Sequence, residues 1–461
     1  MTTVVDEPVD EMTVDPDRMV VYAEGWQSWS PTRTYRGDEP SPHPEAAWEV
    51  AMRFREGHRG GPAHWAGEGL LVVDPGTGGP VRRFALVGDA RDEVPTIHAS
   101  LQGDRLDVAS TGRVERRDFA SMTASLTDFG DTFATRAGVA ELQPAPRVWC
   151  SWYRYFEDVT AHDVREAVRD LDRLELPVDV VQLDDGWSRG LGEGLTATDG
   201  FDDLAGVVDD VRTSGRRAGI WLAPFVVGRD TSLAREHPDW LVGYAGYNWG
   251  QDLVALDVTR PAVRDHLQAS VSRLVGLGID YLKLDFIYAA AVAGRRHAGT
   301  GPVAAYRAGL ALVREAAGDH CFLLGCGAPI LPSVGLVDAM RVSPDTFHQG
   351  GEDGSRGLRG RPGAAARAWQ QGRFWVNDAD CLVARPGYTL REPWARTIEE
   401  YGGLRSCSDR LADLDEWGLR TTRRLLESAP GSTPFSDDTV AAGLSESRVP
   451  VHAGALEEGR P

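Results

Sequence analysis

No apolar run of about 18 residues occurs in this 461-residue chain, so no segment reads as a helix able to cross a bilayer. The opening MTTVVDEPVDEMTVDPDRMV lacks both a basic start and an apolar stretch, so no secretory signal is expected and a cytoplasmic setting is. Positive charge is in deficit, with 49 Lys+Arg against 69 Asp+Glu and a formal charge of −20. That balance excludes the basic face that nucleic acid or an anionic membrane demands and leaves a neutral partner such as a carbohydrate. The five cysteines, Cys150, Cys321, Cys326, Cys381 and Cys407, contain no C-x-x-C pair, and the eleven histidines no H-E-x-x-H spacing. Neither a structural metal nor a cofactor is therefore expected.

What is present divides the chain by pattern. Residues 1 to 18 are acidic and proline-containing and read as a flexible arm. Residues 19 to 143 carry short apolar segments such as Val20-Val21-Tyr22 and Leu70-Leu71-Val72-Val73 between closely spaced turns, which predicts an antiparallel β-sandwich. After Gln143-Pro144-Ala145-Pro146 the pattern changes to strands alternating with amphipathic helices over residues 144 to 428. Strands are expected at Arg147 to Trp152, Val178 to Leu183, Arg217 to Ala223, Leu253 to Leu256, Tyr281 to Phe286, Phe322 to Gly325, Ala339 to Val342 and Phe374 to Val376. Eight strands with helices over about 240 residues predict an α/β fold of the (β/α)₈ TIM-barrel type. A helical region from Glu392 to Ser428 is expected to close it, and residues 429 to 461 read as an irregular tail.

In a barrel the chemistry lies where strands run into the loops that follow them. In Lys283-Leu284-Asp285 the two charges, two residues apart, share one side of a buried strand. Taken alone, the pair fits a structural ion pair as well as an active-site carboxylate beside a cation. Other strand ends carry Trp149 to Trp152, Asp184-Asp185-Gly186-Trp187, Trp221-Leu222-Ala223-Pro224, Arg341 to Asp345 and Asn377-Asp378-Ala379-Asp380. Tryptophan faces stack on the C–H faces of sugar rings, and carboxylates accept hydrogen bonds from vicinal hydroxyls. Two carboxylates flanking a glycosidic bond can supply a nucleophile and a general acid/base, and Asp285 and Asp345 are the natural candidates. Lys283 is expected to keep Asp285 ionised, while Asp345 needs a raised pKa to donate a proton. Arg341 reads as a cation that binds sugar hydroxyls or steadies a carboxylate, with a structural ion pair as the alternative. Cys326 reads as a packing residue, with no histidine placed beside it to make it a nucleophile.

Taken in order, these segments resemble the α-galactosidase (melibiase) superfamily, above all glycoside hydrolase family 36. The motifs are the tryptophan-bearing first strand, the D-D-G-W at Asp184 to Trp187, the K-x-D at Lys283 to Asp285, the R-x-x-x-D at Arg341 to Asp345 and the N-D-x-D at Asn377 to Asp380. Gly25-Trp26-Gln27-Ser28-Trp29-Ser30 is similar to a motif in the sandwich of these enzymes. The resemblance implies a retaining α-glycosidase acting on an α-galactoside or oligosaccharide, with Asp285 as nucleophile and Asp345 as acid/base. It implies further that Asp184 and Asp185 bind the O4 and O6 hydroxyls, that Lys283 and Arg341 hold ring hydroxyls, and that Trp152 and Trp221 form walls. Cys326 and Asp380 complete the expected substrate-binding set. The Cys326-Gly327-Ala328-Pro329 loop departs from the family's glycine- and serine-rich run, which leaves an α-N-acetylgalactosaminidase open. The C-terminal β-domain usual in the family is largely absent after Ser428, and a homo-oligomer is possible. The alternatives are a transglycosylase of the same fold, a metal-dependent barrel enzyme and a non-catalytic sugar-binding protein.

Overall fold

The structure, a computed structural model, describes residues 6–139, 141–191, 197–347 and 357–429. The tail expected over 429 to 461 lies outside them but for its first residue, as do residues 1–5 of the expected arm. The rest of that arm differs from expectation. Glu7–Thr13 forms strand β1, whose alternate side chain Met12 enters the sandwich core. An acidic segment is held here because its backbone pairs along the strand Arg105–Ser110 and its carboxylates meet arginines, Asp10 reaching Arg82 and Arg116 at 2.9 and 2.8 Å.

Strands β1, β2 (Val20–Ala23), β3 (Arg33–Arg36), β4 (His64–Glu68), β5 (Leu70–Asp74), β6 (Val81–Leu86), β7 (Thr96–Gln102), β8 (Arg105–Ser110) and β9 (Val114–Phe119) form the expected antiparallel sandwich. Its sheets run β1-β8-β7-β4 and β3-β2-β5-β6-β9. The run Leu70-Leu71-Val72-Val73 is apolar throughout because β5 is covered on both faces. Leu71 and Val73 enter the core between the sheets, whereas Leu70 and Val72 join the larger core shared with the rest of the chain. That second face is covered by a helix, Met122–Ala137, where a strand pattern had been expected to continue. Ser121 caps its N-terminus by accepting from the Ala124 amide at 3.1 Å, and Gly138 ends it in the left-handed region at φ 75°. Leu126, Phe129 and Phe133 on its buried face fill the gap between sandwich and barrel.

The barrel strands are β10 (Arg147–Cys150), β11 (Val180–Leu183) and β12 (Arg217–Leu222), then, after an excursion, β16 (Ile279–Leu284), β17 (Phe322–Gly325), β18 (Ala339–Arg341), β19 (Val376–Asp378) and β20 (Arg405–Cys407). All neighbouring pairs are parallel, in the order β19-β18-β17-β16-β12-β11-β10-β20. The ring nearly closes where the Leu404 amide donates to Asn377 O at 2.9 Å and the Leu382 amide to Ser406 O at 2.8 Å.

Two strand assignments change. Leu253 to Leu256 belongs to β15 (Gln251–Leu256), which with β13 (Val226–Gly228) and β14 (Leu241–Asn248) forms a separate antiparallel sheet inserted after β12. A short buried apolar run does not reveal which sheet it joins. The true eighth strand, β20, lies inside the region expected to be helical and carries no apolar run. Its Arg405 is buried because the guanidinium donates to Ile398 O and Gly402 O at 2.8 and 3.0 Å. Lys283 and Asp285 therefore lie on the fourth barrel strand, Arg341 on the sixth and Asp378 on the seventh.

The pleat sorts the barrel interior into layers. Val148, Val180, Tyr281, Phe322, Ala339, Val376 and Leu404 pack together as an apolar floor, with the rings of Tyr281 and Phe322 stacked at 5.5 Å. Gly219 makes room there, since a Cβ at that position would lie 2.9 Å from the Tyr281 ring. Two residues further along the same strands come Cys150, Gln182, Lys283, Arg341 and Asp378. The polar layer thus begins one side chain above the floor.

Candidate active site

Asp285 follows β16 directly. Its Oδ2 accepts from the Trp221 indole at 3.1 Å and its Oδ1 from the Phe286 amide at 2.8 Å, with Phe286 itself in the left-handed region at φ 52°. The ammonium of Lys283 turns across the barrel to Asp184 Oδ2 at 2.9 Å rather than bonding to Asp285. Lys283 still acts on the charge balance of the mouth, and the carboxylates of Asp184 and Asp285 raise its own pKa well above the usual value against the penalty of burial. It is the only lysine in the chain. Where every other basic side chain is arginine or histidine, the single buried ammonium marks a position that takes a compact point charge. That signal was legible in the sequence and was not read there.

Asp184 and Asp185 are adjacent but differ in environment. Asp184 is 1% exposed, and its Oδ2 accepts from the Cys150 thiol at 3.2 Å, Gln182 Nε2 at 2.6 Å and Lys283, while its Oδ1 accepts from the Asp185 amide at 3.0 Å. Asp185 has two donors, the Gly186 amide at 2.8 Å and the Trp249 indole at 3.1 Å. Burial, with the charges of Asp184 and Glu157, pushes the Asp185 pKa up to about 7 against those two hydrogen bonds. The carboxyl best left to meet a ligand is therefore Asp185.

On the other side of the mouth, Arg341 holds three carboxylates: Asp345 at 3.0 Å, Asp378 at 3.0 Å and Asp380 at 2.8 Å. Arg341 is 2% exposed, and its contacts are those of a buried ion-pair network around these carboxylates. Asp380 has no exposed surface and sits at φ 98°. It accepts from Arg341, the Tyr153 hydroxyl, the Thr346 amide at 2.7 Å, the Thr346 hydroxyl at 2.9 Å and the Cys381 amide at 2.8 Å. Asp345 keeps 36% of its side chain open to solvent. Even so, the crowding of the mouth and the charge of Asp285 hold its pKa above the ordinary carboxyl range, outweighing Arg341, Lys283 and Arg359.

The remaining expected residues divide. Trp221 is buried in the mouth. Cys326, 1% exposed at the end of β17, lies within the field of Asp285, Asp345, Lys283 and Arg341, and burial drives its thiol far above the usual pKa. Trp152 starts a short helix after β10, and its ring packs edge-on against Phe156 at 5.2 Å. Three residues without an expected role join the site. Tyr153 bonds to Asp380; Trp29, from the sandwich, packs edge-on against Phe286 at 5.0 Å; and Trp249 lies at the tip of the β14–β15 hairpin. Among the described residues, no group of three or more His, Cys, Asp and Glu is arranged to hold a metal ion.

Residues 135–314 match the Melibiase family model. The α-galactosidase/sucrose kinase AgaSK of Mediterraneibacter gnavus is 29% identical over 146 residues, and α-galactosidase AgaA of Geobacillus stearothermophilus 31% over 125. These stretches cover 29% and 24% of this chain but 15% and 17% of those proteins. The structural likeness is more extensive. TtGalA, an α-galactosidase from Thermus thermophilus solved with p-nitrophenyl α-D-galactopyranoside, superposes with a TM-score of 0.72 at 26% identity, covering 90% of this chain and 86% of that one. The family 36 enzyme AgaA shares the fold at a TM-score of 0.59 and 15% identity. The barrel, the sandwich and the ordered motifs are thus features this chain shares with α-galactosidases of the melibiase type.

Proposed function

We propose that this chain is a retaining α-glycosidase that hydrolyses terminal α-galactosides, with Asp285 as nucleophile and Asp345 as acid/base. The observation that carries the reading is the contrast between the two carboxyl groups. Asp285 is aimed by an indole and a backbone amide, both of which stabilise a carboxylate, whereas Asp345 is held above its ordinary pKa at the more open edge. A carboxyl whose pKa is raised suits the acid role, and a second carboxyl held by fixed donors suits the nucleophile's. The likeness to TtGalA, which has also been solved with stachyose, supports a galactoside as the substrate.

In the first step an Asp285 oxygen attacks the anomeric carbon and the glycosidic bond breaks, the leaving oxygen taking its proton from Asp345. In the second, Asp345 removes a proton from water, the water oxygen bonds to the anomeric carbon and the ester to Asp285 breaks. Arg341 serves both steps by fixing Asp345 against Asp378 and Asp380. Lys283 holds Asp184 and adds positive charge beside the nucleophile. Asp185 and the indole of Trp221 receive the sugar.

A panel of p-nitrophenyl α-glycosides differing at C2 and C4, run beside Asp285→Asn, tests this reading. Cleavage of the α-D-galactopyranoside is expected, with kcat in the variant lower by at least about a thousandfold. Release from none of the panel, or a variant of undiminished activity, overturns it.

A further inference from the structure

The excursion between β12 and β16 ends in a two-residue hairpin turn, Trp249-Gly250, with φ of 50° and 72°. Turns with positive φ at both positions favour Asn, Asp or Gly, and a bulky aromatic held there is strained. Closing the hairpin does not call for tryptophan, so its presence there points to a role for the side chain. The indole donates to Asp185 Oδ2 at 3.1 Å and its ring packs on Phe286 at 4.9 Å and Trp221 at 6.4 Å, the two residues that flank the Asp285 carboxylate.

The hairpin is braced from behind so that its tip holds still. Tyr288 donates its hydroxyl to Ala245 O at 2.5 Å, and Met52 of the sandwich helix Ala47–Arg53 lies against Gly246, where a Cβ would come within 2.2 Å of its Cγ. Asp184, already saturated with protein donors near the barrel axis, is fixed without help from the hairpin. Asp185, 9% exposed against 1% for Asp184, is the more open of the two and takes one of its two donors from the hairpin.

We propose that Trp249 is a specificity-determining positioning residue: its indole N–H orients Asp185 to accept the hydroxyl of the sugar's exocyclic hydroxymethyl group. The inserted hairpin, and not the barrel alone, then selects a hexose over its 6-deoxy analogue. This rests on the proposed function insofar as Asp184 and Asp185 meet the O4 and O6 side of a galactose-type sugar.

Titration calorimetry of the whole chain with D-galactose and with D-fucose, its 6-deoxy form, separates the two ideas. Wild type is expected to favour D-galactose. Trp249→Phe, which keeps a ring and loses the N–H, should weaken D-galactose about tenfold and leave D-fucose within about twofold, with the melting temperature unchanged. Trp249→Gly, which also relieves the left-handed backbone, should lose the same preference and weaken both sugars through loss of the wall. An unchanged preference in Trp249→Phe, or an equal fall for both sugars, overturns the inference. Cleavage of p-nitrophenyl α-D-galactopyranoside by wild type is read separately. Preferential binding without cleavage overturns the proposed function and leaves this inference standing, and a wild type that binds neither sugar overturns both.

Discussion

Asp185 shows how one residue's surroundings set a property of the whole chain. Its pKa is raised to about 7 by burial and by Asp184 and Glu157, against an unfolded value near 3.9. The native state therefore binds the proton more tightly than the unfolded chain, so this group's contribution is fully present below about pH 4 and is lost as pH rises through 7. Asp185→Asn removes that loss. Its melting temperature, taken relative to wild type by scanning fluorimetry, should be higher at pH 8 than at pH 5, and an offset equal at both pH values would contradict the assignment. Period-2 alternation correctly put Lys283 and Asp285 on one face, yet could not tell that Lys283 bonds across the barrel to Asp184 while Trp221 takes Asp285. Partners separated by 99 and 64 positions are a product of closure.

At the scale of elements, the barrel, the sandwich and most barrel strands were legible because their apolar runs are long enough to show a period. Three errors have separate physical causes. β15 is as apolar as a barrel strand because its sheet is also buried; β20 is three residues long and held by a buried arginine; and β1 is acidic because its carboxylates are matched by arginines from other strands. β15 pairs with β14 across a two-residue turn and Arg405 bonds to carbonyls three and seven residues away, whereas the partners of β1 are distant in sequence. The same holds for the loop after β17. Gly327 sits at φ 49°, and a Cβ there would lie 2.9 Å from the Trp29 ring and 3.0 Å from the Phe286 amide nitrogen. Gly327→Ala should thus push the sandwich's tryptophan off the mouth and cost about 1–3 kcal/mol in urea unfolding, with a higher KM for the aryl galactoside. A variant with wild-type stability and KM would show that Trp29 and the loop do not depend on each other.

For the molecule as a whole, sandwich and barrel are joined through a buried charge pair. Arg367 donates to Glu24 at 2.7 Å and to the carbonyls of Gln27, Ser28 and Val342, and neither charged side chain has exposed surface. Glu24→Gln leaves the guanidinium without its counter-charge and should lower stability by about 3–5 kcal/mol in urea titration, whereas a loss below about 1 kcal/mol would mean the junction does not rest on this pair. Joined in this way, the sandwich brings Trp29 and Met52 to the barrel mouth, where Trp221, Phe286 and Asp285 meet. The claim that the mouth works by double displacement through Asp285 is tested most directly by trapping the intermediate. An aryl α-galactoside carrying fluorine at C2, whose second step is slowed, is incubated with the protein, which is then digested and mapped by mass spectrometry. The predicted result is one sugar ester, on Asp285. Turnover of the ordinary α-galactoside with the ester on another residue would contradict the account.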